Sequence, residues 1–179
     1  MTETERVGNI RCTADTIALT RHPRLRALLS RVVGRTPYRH VLLSQRDRPP
    51  YESTWAIPGG HVDPGETGTR ASARELLEET DVVVSPADLV FVGIFDEPDR
   101  YPRGQHIGAA FAFIVPDGTP ATAGDDARTA QWRPVDSLPP LTFDHAEILS
   151  KAVGPAIRRL RRGAPGLRHH PAPRCRTGC

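Results

Sequence analysis

The sequence predicts one α/β domain, a mixed β-sheet with helices on both faces. Three observations predict it. Apolar segments of strand length alternate with helical ones, and no internal repeat is visible. The 179 residues are enough for one domain with a full core. Eighteen prolines and fifteen glycines punctuate the segments as turns do in soluble proteins.

The elements follow in order. CTADTIALT, residues 12–20, reads as a strand, with Cys12 as a small buried hydrophobe. PRLRALLSRVV, residues 23–33, is apolar at helical spacing and is either a short helix or an inserted loop. RHVLLSQR, residues 39–46, is a short strand, and the turn-rich PPYESTWAIPGG follows it. In that turn Trp55 anchors the strand that carries the glycines. GTRASARELLEET, residues 68–80, is a helix that can bury Ala71, Leu76 and Leu77. LVFVGIFDEP and HIGAAFAFIV are strands, the second with Ile107, Phe111, Phe113 and Val115 in alternation. PDGTPATAGDDA is a loop, and AQWRPVDSL a further strand with Trp132 structural. DHAEILSKAVGPAIRRLRR opens with an Asp144 cap and Glu147 three residues on, which predicts a capping box. Pro155 should bend or split that helix. GAPGLRHHPAPRCRTGC, residues 163–179, reads as a disordered tail.

Composition narrows the function. No apolar run approaches the roughly 18 residues of a membrane span. The N-terminal segment lacks the apolar core of a secretion signal. The three cysteines match neither a zinc nor a disulfide framework, which suits a reduced, cytoplasmic setting. The net charge of +3 is misleading. Arg158, Arg159, Arg161, Arg162, Arg168, Arg174 and Arg176 follow Gly154 with no acid among them, so the rest of the chain is acidic. Specific nucleic-acid binding by the body of the protein is therefore not expected. The tail alone could attract polyanions, weakly and in a salt-sensitive way.

The chemistry concentrates in GGHVDPGETGTRASARELLEETDV, residues 59–82. On a helix, Glu75 and Glu79 lie one above the other, and Glu78 borders the same face. Like charges at these spacings repel by a few tenths of a kcal/mol per pair. Either the helix is a solvated surface with an Arg–Glu ladder through Arg70 and Arg74, or a cation sits there. Hard oxygen ligands select Mg²⁺ or Mn²⁺, and Mg²⁺ commonly shares its shell with substrate phosphates.

The segment resembles the box of the Nudix hydrolases. Gly60, Glu66, Arg74, Glu75, Leu76, Glu78, Glu79 and Val82 stand in the family's register, and WAIPGG is similar to its lead-in. The one departure is Asp81 in place of the box glycine. A glycine there suits a left-handed helix end, which Asp tolerates at roughly 1 kcal/mol. The resemblance implies a Nudix-type αβα sandwich with a mixed β-sheet over roughly residues 8–162, in a domain bounded at 1–162. It implies Glu75 and Glu79 as principal metal ligands with the Gly59 carbonyl. Glu78 binds a second metal or pairs with Arg74, which orients rather than reacts. Glu66 braces loop and helix or reaches metal through water, and Gly60 is structural. Mg²⁺, replaceable by Mn²⁺, would assist hydrolysis of a diphosphate joined to another moiety.

The second half is similar to the branch that contains ADP-ribose pyrophosphatases and ADP-ribose-sensing regulators. DEPDRYPRG, GDDA and FDHAEIL carry this likeness. It implies Arg100, Arg103, Asp126, Phe143 and His145 as substrate-binding residues, with Tyr101 a second candidate for stacking on a base. Arg100 and Arg103 grip phosphates or belong to a solvated loop. Phe143 stacks on adenine or fills core. His145 contacts phosphate or ribose, or makes a structural hydrogen bond. Asp125 or Asp126 serves as general base or merely keeps its loop soluble, and Glu75 is a competing candidate for the base. His61 packs against the glycine loop or touches substrate. Two other readings stand beside ADP-ribose hydrolysis. One is a Nudix enzyme of oxidised nucleoside triphosphates or of a biosynthetic nucleotide. The other is a regulator that binds ADP-ribose without catalysis, against which the complete glutamate set speaks. Many family members are homodimers, and residues 23–38 lie at such an interface or lengthen a loop.

Overall fold

A computed structural model describes residues 10–21, 38–124 and 127–153. The expectations for residues 23–37, for Asp125 and Asp126, for Pro155 and for the tail lie outside the described residues.

Seven strands form one mixed sheet: β1 (Arg11–Arg21), β2 (Tyr38–Arg46), β3 (Trp55–Ala56), β4 (Gly59–His61), β5 (Val90–Phe95), β6 (His106–Val115) and β7 (Ala127–Pro134). The order β3-β2-β1-β6-β5 is extended by β4 against β1 and β7 against β2. β1 and β6 run parallel from Arg11 opposite His106 to Thr20 opposite Val115, and the other pairs are antiparallel. Ala14 through Thr20 are all buried. A strand covered on both faces reads as such a run.

Among the described residues one helix packs on each face. On one side α1 (Gly68–Thr80) sets Ala71 and Leu76 against Ala14, Ala18, Leu42, Phe111 and Phe113. On the other, α2 (His145–Lys151) sets Ile148 and Leu149 against Ile17, Leu19, Val41 and Leu43. The layers are those of an αβα sandwich. Burying each such apolar side chain is worth roughly 1.5–3 kcal/mol relative to leaving it exposed.

Three expectations are corrected. Leu77 is 44% exposed. The buried stripe of α1 runs Ser72, Leu76, Thr80, four residues apart, which turns the next position towards solvent. Cys12 is exposed, because it precedes the stretch of β1 covered on both faces. Asp144 precedes α2 but makes no side-chain cap bond. Its carboxylate is taken by an arginine described below.

Candidate active site

α1 begins at Thr67, whose hydroxyl accepts the Arg70 amide. It ends at Asp81, in the left-handed conformation at φ 58°, ψ 15°, with its N–H on the Leu77 carbonyl. The box departure thus keeps the helix end that a glycine would make. The last carbonyls are not left bare: Thr122 N–H donates to Thr80 at 2.9 Å and Gly124 N–H to Glu79 at 3.2 Å. The loop before β7 thereby holds the turn that carries Glu78 and Glu79.

Arg74 relieves the crowding of glutamates. Its Nε and Nη2 donate to the two oxygens of Glu66 at 3.2 and 3.0 Å. Nη1 donates to Glu75 at 2.8 Å and to Glu78 at 3.0 Å, and Nη2 also reaches the His61 carbonyl at 2.9 Å. Glu66 in turn accepts the Asp63 amide at 3.2 Å. One planar guanidinium ties loop, strand end and helix together, a geometry lysine cannot reproduce.

The glycine pair is demanded by space. A Cβ on Gly60 would collide with the Glu75 carboxylate, and one on Gly59 would stand 2.6 Å from Asp15 Oδ1. Glu79 points inward, accepting Ser44 Oγ at 2.9 Å and the Gly59 backbone. Burial is the main cause that pushes its pKa up to about 8, with Ser44 opposing and Glu75 adding to the rise. Burial likewise raises Glu75, against the pull of Arg74.

Among the described residues no three His, Cys, Asp or Glu side chains gather into a ready cage. Magnesium does not need one. It keeps several waters and is commonly held by one or two carboxylates plus substrate phosphates. Glu75, Glu79 and the Gly59 carbonyl are a hard donor set of that kind. Burial disfavours the charged form of both carboxylates, and a bound cation would favour it, so the pair fits such an ion.

These groups line one end of a cavity of about 390 Å³. The rest of its lining is assembled from distant segments. Arg100, 6% exposed, donates Nε and Nη2 to the two Asp144 oxygens at 2.8 Å each. A Cβ on Gly108 would lie 2.7 Å from Arg100 Nη1, so that glycine makes room for the guanidinium. Asp144 thus serves Arg100 rather than the α2 amides, which is why the expected capping box is missing. His145 is buried, and its Nδ1 accepts the Ile57 amide at 2.8 Å, bolting α2 to the strand that leads into the glycines. Burial, aided by Arg100 and Arg46, lowers its pKa to about 4, so the ring is neutral with its proton on Nε2.

Above this wall lies an aromatic cluster. Tyr101 and Phe143 stack with centroids 4.7 Å apart, Tyr51 meets Phe143 edge-on at 5.2 Å, and His106 lies 4.1 Å from Tyr101. Arg46 sits over Phe143 at 5.1 Å. Phe143 is held at φ 51°, a conformation bulky side chains avoid and one that collects at binding sites. The exposed Arg103, with Arg46 and Arg48, rims the same cavity. His61 lies at its edge, 5.8 Å from His106, while Trp55 and Trp132 belong to the cores on either face of the sheet.

Asp15, Ser44, Arg46 and His106 were not singled out by sequence reasoning. Asp15 left a signal, an acid inside an apolar strand. It is 6% exposed, and its Oδ2 has no hydrogen-bond partner and lies 4.0 Å from Arg100 Nη2. Burial pushes its pKa up to about 7, Arg100 pulls it back, and Asp144 and Glu75 add to the rise.

Comparison with known proteins settles the family. The model of the NUDIX domain matches residues 21–152. The chain belongs to the Nudix family. An ADP-ribose pyrophosphatase of Methanocaldococcus jannaschii is 39% identical over 109 residues, 61% of this chain and 63% of that protein. A putative 8-oxo-dGTP diphosphatase of Bacillus subtilis is 31% identical over 99 residues, 55% of this chain and 60% of that one. The chain therefore spans about 60% of the length of these curated relatives. Among solved structures, a MutT/nudix family protein of Enterococcus faecalis superposes with a TM-score of 0.69 at 26% identity, covering 89% of this chain and 65% of that one. The NUDIX domain of Shewanella oneidensis NrtR, solved with ADP ribose, has the same TM-score at 21% identity, over 89% of this chain and 94% of that one. At that identity the likeness is one of fold. No helix among the described residues is long and apolar enough to cross a membrane.

Proposed function

We propose that this protein is a Mg²⁺-dependent pyrophosphohydrolase whose substrate is ADP-ribose, split to AMP and ribose 5-phosphate. One observation carries the reading: a single cavity joins the glutamate face of α1 to the Tyr101–Phe143 stack. A diphosphate needs the first and an adenine the second. The Methanocaldococcus relative supports this choice by its name.

Glu75, Glu79 and the Gly59 carbonyl would hold the ion, and Mn²⁺ should substitute. When bound, such an ion neutralises phosphate charge and makes a bound water more acidic. The chain's own part is positional. Arg74 fixes Glu75 and Glu78 while Glu66 locks Arg74 to the glycine loop. Ser44 and Gly59 aim Glu79 into the cavity. The rim arginines Arg46 and Arg103 approach the phosphates, and the aromatic stack takes the base. Arg100, already spent on Asp144, shapes the wall between them.

The Bacillus relative favours a second reading, hydrolysis of an oxidised nucleoside triphosphate. Incubation with ADP-ribose and with 8-oxo-dGTP at equal concentration in Mg²⁺, read by product mass, decides between them. AMP and ribose 5-phosphate should form with the higher kcat/KM. The reverse ranking would remove ADP-ribose while leaving the family chemistry in place.

A further inference from the structure

We propose that Asp15 is a substrate-binding residue whose Oδ2 accepts a hydrogen bond from a hydroxyl of the ribose attached to the stacked base. The proposal rests on the reading of the cavity as a nucleoside diphosphate site.

Position comes first. Asp15 lies on β1 directly opposite Gly59 of β4, and its Oδ1 would be only 2.6 Å from a Cβ on Gly59. On its other side Arg100 Nη2 is 4.0 Å from Oδ2. Arg100 follows the chain directly into Tyr101, and Asp144 follows Phe143, so the Arg100–Asp144 pair is anchored to the aromatic stack by two peptide bonds. Asp15 therefore faces the cavity between the glycine loop that serves the phosphates and the stack that takes the base. In a nucleotide, that interval is the ribose.

Chemistry comes second. Oδ2 is buried and has no hydrogen-bond partner, although buried polar atoms nearly always have one. An ionised carboxylate is acceptor-only, so the partner that Oδ2 lacks in that form is a donor. A metal cation there would stand against the guanidinium of Arg100, and a phosphate against the carboxylate itself. A neutral hydroxyl offends neither. Arg100 does not fill this role: its Nη2 donates to Asp144 and stands 4.0 Å from Oδ2, beyond hydrogen-bond distance.

The consequence is discrimination between ribose and deoxyribose, since a site built to bond a hydroxyl rejects the analogue that lacks it. The test is calorimetric titration of the full chain with AMP, 2′-deoxy-AMP and 3′-deoxy-AMP. The wild type should bind AMP about tenfold or more tightly than one of the deoxy forms. Asp15→Ala should bind all three alike, and Asp15→Asn, which keeps an acceptor oxygen, should retain part of the preference. Equal affinities in the wild type overturn the proposal without any variant, as does undiminished discrimination in Asp15→Ala. No binding of AMP overturns it together with the nucleotide reading. Turnover of ADP-ribose and 8-oxo-dGTP on the same samples reports separately on the substrate, so its failure leaves the AMP ratios to judge Asp15.

Discussion

The two ends of the cavity are built in opposite ways. The glutamate end is local: Glu66, Arg74, Glu75, Glu78 and Glu79 come from one loop and the helix after it, and one arginine holds most of them. The opposite wall is scattered. Asp15, Arg46, Arg100, Tyr101, Phe143 and Asp144 come from four separate segments and meet only in the folded sheet. A local site is robust to small shifts of the fold. A scattered one inherits every such shift.

Breaking the scattered wall should cost the most. Arg100→Met leaves the partly buried Asp144 carboxylate without its partner, and removing one member of a buried pair costs up to about 3–5 kcal/mol. Thermal unfolding should register that loss, while Mg²⁺ should still raise the melting temperature of the variant because the glutamate end is untouched. A variant that unfolds normally but no longer responds to Mg²⁺ would show that the two ends are one unit.

His145 offers a gentler probe of the same wall. Its folded pKa of about 4 lies below the ordinary 6.5, so unfolding below pH 6.5 takes up a proton. The stability it contributes is complete above pH 6.5 and is lost as pH falls towards 4, on the order of 3 kcal/mol. Denaturant titrations of the wild type and His145→Asn should diverge across that window and run parallel above it. Parallel behaviour throughout would remove the buried neutral histidine.

At the local end, Glu79→Gln and Glu75→Gln should each lower turnover by about two orders of magnitude or more, as loss of a metal ligand or base does. Arg74→Lys should weaken activation by Mg²⁺ by about 10–100-fold, the range for groups that orient metal ligands. Near wild-type rates in Glu79→Gln would mean that the helix face holds no ion. The smallest effect belongs to the helix end. Asp81→Gly should stabilise the protein by about 1 kcal/mol, because glycine adopts φ 58° without the cost borne by aspartate. A destabilised Asp81→Gly would point to a contact of the Asp81 side chain.

The sequence by itself determined the glutamate end, the αβα class and the family. Its spacing along one helix is a periodic signal, and periodicity survives without a fold. The left-handed conformation at Asp81 was legible for the same reason, since a helix must end somewhere and few residues tolerate that turn. Leu77 and the Asp144 cap misled because local pattern cannot say which face meets the sheet or which distant arginine takes a carboxylate. Only the tertiary structure decided that Asp15 of β1, Arg100 before β6 and Asp144 before α2 share one wall. Those contacts run between residues 44 and more positions apart, and chain spacing carries no trace of a meeting made by the register of β1 against β4 and β6.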